Sequence, residues 1–225
     1  MRVKQRRANL RSALLLGSLL LPAPAAAHPH IFAEARLDVV VGEGGTVEAL
    51  RHLWRFDDLF SATVIVEFDK NGDLHLDEAE LQQVSDTIYG SLNDFNYFQM
   101  VTADGKDVEM ARPEALMATM ETDNQLIVFF ESRPKKPLKL EGKLAFGVYD
   151  PTFYTAIDFV EDDYINVENL PPHCSRQVVR PDPDEAIAAN QETLTDAFFT
   201  DPTDLSKIFA TRLELDCAAA PAAPQ

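Results

Sequence analysis

The hydrophobic period of this 225-residue chain changes twice, and that change limits its fold more than any other feature. Between Ile31 and Phe56 the pattern alternates loosely: IFAEARLDVVV (31 to 41), a GEGG turn (42 to 45), then TVEALRHLWRF (46 to 56). Two alternating runs around a glycine turn predict a β-hairpin. From Asp57 the period lengthens, with Leu59, Phe60, Val64 and Phe68, then Leu81, Val84, Ile88 and Leu92, at helical spacing. Two helices therefore flank residues 69 to 80, in a helix-loop-helix element over 57 to 96. Short β-like runs return at 97–102, 115–122, 125–132, 143–150, 154–160, 175–180 and 211–217, with one more helix at 184–199. Asp123-Asn124 reads as a tight turn. Strands in runs with helices set apart predict an α+β fold on an antiparallel sheet, the helix-loop-helix (EF-hand-like) element inserted after the first hairpin.

The ends are of a different kind. Residues 1–27 read as a secretory signal peptide: Arg2, Lys4, Arg6, Arg7 and Arg11 form a basic region, Ala13 to Leu21 an apolar core, and Ala25-Ala26-Ala27 a small-residue cleavage site. That core is nine residues, against the roughly 20 apolar residues a membrane span needs. Cleavage after Ala27 is expected to leave one domain over 28–217 in the periplasm, not itself membrane-spanning, with a disordered alanine-proline tail at 218–225. Losing five leader cations moves the net charge from −17 to −22. A field of that sign argues against nucleic acid or anionic lipid as partners and favours cations or basic surfaces. The two cysteines, Cys174 and Cys217, are expected to pair in an oxidising compartment. A zinc site using them with His173 is the alternative.

Residues 69 to 80, DKNGDLHLDEAE, match the spacing of a calcium loop. Asp69, Asn71 and Asp73 take positions 1, 3 and 5, the His75 carbonyl position 7, Asp77 position 9 and Glu80 position 12. Position 6 wants glycine, because the backbone turns there with positive φ, and this chain has Leu74. That conformation costs a non-glycine residue about 1–2 kcal/mol, so Ca²⁺ binding is expected to be weakened or lost. Two readings stand side by side: a weak calcium site, and a relic that joins two helices.

The mature start, HPH at 28–30, offers nitrogen donors. The His28 α-amine and imidazole can chelate one ion, His30 adds a second imidazole, and His52 is a candidate third ligand, although core or cross-strand packing beside Trp54 is the ordinary explanation for it. Nitrogen suits Zn²⁺, Ni²⁺ or Co²⁺ rather than calcium. Pro29 lacks the amide N–H that square-planar backbone coordination would need. The competing reading is a frayed terminus that happens to be polar. YDPTFY (149 to 154) places Asp150 and Tyr154 as lesser candidates, set against a plain Asp-Pro turn with core aromatics. Asp57-Asp58 reads as a helix N-cap, and Glu161-Asp162-Asp163 as an exposed turn. No serine or cysteine nucleophile with a positioned base is apparent, so an enzyme is not expected.

Several blocks, HPHIFAEARLDVV, LRHLWRFDDLFSATVIVEFDKNGDLHLDEAEL, NYFQMVTADGK, LAFGVYDPTFYTAIDF, CSRQVVRPDPDEAIAA and LELDC, span nearly all of the mature chain. Together they resemble an exported bacterial family catalogued as a domain of unknown function and described as the periplasmic component of an uncharacterised ABC-type transport system. The resemblance implies periplasmic residence and association with an inner-membrane permease of nickel/cobalt type, with zinc or nickel as cargo. His28 and His30 match that family's starting histidines, and Asp69, Asn71, Asp73, Asp77 and Glu80 its acidic loop; Leu74 departs from its usual glycine. The expected role is a metal-handling accessory protein, with a calcium-stabilised structural or interaction module as the alternative.

Overall fold

Alternation in the first hairpin becomes the spine of the structure, a computed structural model that describes residues 29–191, 194 and 202–217. The expected leader at 1–27, His28, residues 218–225 and most of the second half of the helix expected at 184–199 lie outside the described residues. In chain order the elements are β1 (Ile31–Val41), β2 (Thr46–Phe56), α1 (Asp58–Phe68), α2 (Glu78–Leu92), β3 (Gln99–Ala103), β4 (Lys106–Asp107), β5 (Leu116–Met120) and β6 (Leu126–Ser132). They continue with β7 (Leu138–Lys139), β8 (Gly142–Val148), β9 (Thr155–Asp158), β10 (Ile165–Glu168), β11 (Cys174–Val179), α3 (Pro183–Ala189) and β12 (Arg212–Cys217). Three short 3-10 turns punctuate them.

The strands form two sheets rather than one. The larger runs β10-β1-β2-β6-β5, with β7 beside β2 and β9 beside β1; the smaller runs β11-β12-β8-β3-β4. Ala33, Ala35, Leu37, Val39 and Val41 of β1 point inward with Leu50, Trp54 and Phe56 of β2, joining Leu144, Phe146, Leu213 and Leu215 of the smaller sheet in one core. The period-2 pattern is thus the pattern of burial, interrupted where the β1–β2 register shifts between Val40 and Val41.

Pairing is mostly antiparallel, but β1 takes two parallel partners, β9 and β10. This corrects the expectation of a purely antiparallel sheet. β1 is 11 residues long, and β9 and β10 are four residues each, so both fit along its free side in succession. A four-residue strand such as INVE carries too little alternation to announce β10 in the sequence.

The helix-loop-helix element is present as α1 and α2. Asp57 caps α1 by accepting from the Leu59 and Phe60 amides, and its other oxygen accepts from Phe32 of β1 at 2.8 Å. α2 is capped by Asp77, with Glu80 reaching back in a capping box. Two hydroxyls dock these helices on the larger sheet: Ser61 accepts from the Leu126 amide and Ser85 from the Ala118 amide, each at 2.9 Å. The buried side of α2 follows its expected spacing through Val84 and Leu92. On α1 it differs, because Ser61, Val64 and Ile65 are buried while Leu59 is 75% exposed. Packing chose the stripe containing the Ser61 hydrogen bond. Of the last helix, α3 ends at Ala189 with Asn190 as its C-cap, and Gln191 and Leu194 beyond it are again helical.

Candidate functional site

The parallel β1–β9 pairing decides what stands beside the start of the described chain. Ile31 lies opposite Thr155, so the residues preceding each strand also meet. The His30 amide donates to the Tyr154 carbonyl at 2.8 Å, the Ile31 amide to the same oxygen at 3.3 Å, and the two rings lie 4.8 Å apart. The fold therefore joins HPH to YDPTFY, two blocks far apart in sequence. Of the histidine pair, His28 lies outside the described residues.

Asp150 shapes the loop that makes this contact. Its Oδ1 accepts from the Thr152 amide at 2.8 Å and hydroxyl at 2.7 Å, and Oδ2 accepts from the Thr155 amide at 2.8 Å. It is buried, and its carboxylate is spent on the turn, as the plain Asp-Pro reading expects. The neighbouring aromatics are not core, which corrects the other half of that reading: Phe153 is 41% and Tyr154 48% exposed. A cavity of about 570 Å³ opens beside them, lined by Pro29, Phe153, Asp158, Arg180 and Ser206 among others. Arg180 is held by Asp162 at 3.0 Å and Asp158 at 3.6 Å, and the buried Ser206 hydroxyl has no hydrogen-bond partner. Ser206 gave no sequence signal, since a lone serine before a strand has no pattern to read.

His52 stands elsewhere. It pairs across from Leu37, seven positions along β1 from His30 and so about 23 Å away at the strand rise. The structure does not bring this candidate third ligand to His30. It is 2% exposed, stacked on Phe130 with ring centroids 4.5 Å apart, and makes no hydrogen bond through either nitrogen. Burial pushes its pKa down to about 3, opposed weakly by the Gln99 side chain. Gln99 itself is engaged by the Ser132 hydroxyl and the Asn96 carbonyl.

The acidic loop turns where the spacing requires. Leu74 has φ 65° and Gly72 φ 77°. Asp69 accepts from the Gly72 amide at 2.7 Å and the Leu74 amide at 2.8 Å, Asn71 from Asp73 at 2.8 Å, and Asp73 from His75 at 2.9 Å. The Leu74 N–H holds the Asp69 carboxyl below its usual pKa. Glu80 accepts from the Lys70 amide at 2.8 Å and the Asp77 amide at 2.9 Å, so its oxygens already bind backbone. His75 is exposed, as expected of a loop residue contributing only its carbonyl.

Cys174 and Cys217 are bonded to one another across the β11–β12 pair. That takes both sulfurs from the zinc alternative with His173. Among the described residues, no three His, Cys, Asp or Glu side chains gather as a metal-binding group, and no helix is long and apolar enough to cross a membrane.

Comparison with known proteins adds two findings. The sequence profile of a family described as "Protein of unknown function (DUF1007)" matches residues 13–217. A Haemophilus influenzae protein described as "Uncharacterized protein" is 25% identical over 207 residues, covering 91% of this chain and 97% of the relative.

Proposed function

The chain belongs to the DUF1007 family, and from that premise we propose that it is a periplasmic metal-handling accessory protein. It takes a transition-metal ion, Zn²⁺, Ni²⁺ or Co²⁺, as cargo near its N-terminus and cooperates with an inner-membrane permease of nickel/cobalt type. It is not an enzyme in this reading. The meeting of His30 with Tyr154 carries the proposal. A histidine on a frayed end has no fixed address, whereas the His30 backbone is tied to a loop that Asp150 holds with three hydrogen bonds. The His28 amine and the two imidazoles would supply the nitrogens. Two or three nitrogen ligands leave coordination positions for the permease to fill, which transfer of a cargo requires. A net charge of −17, or −22 without the leader's five cations, draws cations towards the molecule. The Cys174–Cys217 bond suits an oxidising compartment.

The test compares the chain starting at His28 with a form carrying one extra residue before it and with His28→Ala/His30→Ala. Zn²⁺ and Ni²⁺ are titrated at about pH 8 and about pH 5.5. Binding is expected to weaken at the lower pH, since imidazole and α-amine must be unprotonated to bind. Equal affinities in all three proteins would sink the N-terminal site; loss in the double variant alone would retain the imidazoles and discard the amine.

A second reading, a calcium-stabilised structural or interaction module, draws on the positive φ of Leu74 inside a loop of the right ligand spacing. In it Asp69, Asn71, Asp73, Asp77, Glu80 and the His75 carbonyl hold Ca²⁺ weakly, after Glu80 leaves its backbone partners. Leu74→Gly relieves the backbone strain and is expected to tighten calcium. Calorimetry showing no calcium uptake in either form would leave the loop a helix connector.

A further inference from the structure

Where β1 and β9 run side by side, the outer face of the larger sheet carries a groove that the metal reading does not use. Phe32 stands opposite Ala156; two residues on, Glu34 stands opposite Asp158 and pairs on its other side with Arg55 of β2. Asp57 closes the far side, because its Oδ2 accepts from the Phe32 amide at 2.8 Å, and Asp58 follows it as the first residue of α1. With Gln125 and Val160 these residues line a cavity of about 390 Å³.

The floor is apolar yet open to water. Phe32 is 55% and Val160 57% exposed, whereas the alternate residues Ala33 and Ala35 are buried in the core. Two such side chains on one cavity, rimmed by charge, have the make-up of an association site rather than of scattered exposure. The rim decides what associates. Four carboxylates, Glu34, Asp57, Asp58 and Asp158, line the groove against one arginine. That arginine, Arg55, is already shared by Glu34 at 3.4 Å and Glu121 at 3.6 Å. Asp158 reaches Arg180 at 3.6 Å, but Asp162 holds Arg180 more closely, at 3.0 Å. Asp57 is committed to three backbone amides, and Asp58 makes no ion pair among the described residues, accepting from the Gln125 amide at 2.6 Å. Negative charge without a matching cation therefore stands on both sides of the apolar floor. Such a field repels an anionic lipid surface and, equally, a second copy of this face; it favours a basic partner.

We propose that this groove docks a basic segment of another protein. An apolar side chain of the segment rests on Phe32 and Val160, with its lysine or arginine side chains over Glu34 and Asp158 on one side and Asp58 on the other. Two residues of strand, about 7 Å, separate Phe32 from Glu34, so the cations flank the apolar residue at close spacing in the partner. A small amphiphile with a single charge would leave one acidic side unmatched. The inference is independent of the metal reading and survives its failure.

The experiment titrates the isotope-labelled, disulfide-bonded protein with the synthetic peptide KKLFKK and follows backbone amide shifts by NMR. The peptides EELFEE and KKSSKK are controls, and melting temperature reports the fold. The expected result is saturable shifts centred on Phe32, Asp58, Ala156 and Val160, weakened by added salt, with each control peptide binding at least about tenfold more weakly. Phe32→Ser is expected to weaken KKLFKK about tenfold, and Asp58→Asn and Glu34→Gln severalfold each, all with unchanged melting. No saturable binding, EELFEE binding as well as KKLFKK, shifts spread over the whole acidic surface, or an affinity that Phe32→Ser leaves unchanged would each overturn the proposal. Sedimentation with phosphatidylglycerol vesicles, or self-association without peptide, that Phe32→Ser abolishes would overturn it too, by making a membrane or a second copy the occupant.

Discussion

His30, just before β1, and His52, on the neighbouring strand β2, carry the same imidazole, and their surroundings give them opposite chemistry. His30 sits at an exposed end with its backbone tied to Tyr154 and its ring beside that of Tyr154. His52 is enclosed by Phe130 and Trp54, with no hydrogen bond to either nitrogen and its pKa pushed down to about 3. Desolvation disfavours the imidazolium, which removes His52 from proton chemistry above that value. Metal exchange needs access as well as a neutral ring, and among these two only His30 has it. Residue type nominates a ligand; solvation decides whether it can act as one.

Acid is the strongest way to break the contrast. The unfolded chain protonates His52 near pH 6.5, the folded protein only near 3, so between those values the unfolded state binds the extra proton and stability falls as pH drops. From pH 7 to pH 4 the loss from His52 alone is roughly 3 kcal/mol. Urea unfolding across that range should show a shallower pH dependence in His52→Phe, which keeps the stacking on Phe130. An unchanged profile would mean that His52 takes up its proton without unfolding.

A smaller effect is expected from Asp150→Ala, which strips three hydrogen bonds from the loop under His30. It should cost about 1–3 kcal/mol in denaturant unfolding and also weaken Zn²⁺ binding at the N-terminus. Lost stability with unchanged zinc affinity would separate the loop from the site. His30→Ala should move stability least, within about 0.5 kcal/mol, while lowering metal affinity. A large loss of stability there would make His30 a packing residue like His52.

Much of the fold was legible. The first hairpin is read residue for residue, because 11-residue strands alternate long enough to reveal both type and limits. The helix pair follows from the helical spacing of its apolar residues, with Asp57 as the cap of α1, whereas the Asp77 cap of α2 is seen only in the structure. The disulfide follows from two cysteines in one chain, although sequence could not say that they face each other in adjacent strands. The four-residue β10 and two-residue β7 were not legible, since a run that short fits any period. For the site, HPH and YDPTFY were each visible, yet their meeting was not. Nor were the Arg36–Tyr164 and Arg112–Tyr89 contacts, whose members are distant in the chain and fit no motif.

Sequence by itself determined the types of the longer elements, the start of α1, the positive-φ demand at Leu74 and the nitrogen and oxygen donors on offer. These are local properties, written in the spacing and chemistry of a dozen neighbours at most. Tertiary structure alone decided that β9 and β10 lie parallel to β1, that His30 meets Tyr154 while His52 is sealed between rings, and that Arg36 and Arg112 keep their charges over aromatic faces. Each depends on which distant segments share a surface and on how much water that surface retains. Burial and pairing energies are summed over the whole molecule, so no window of sequence contains them.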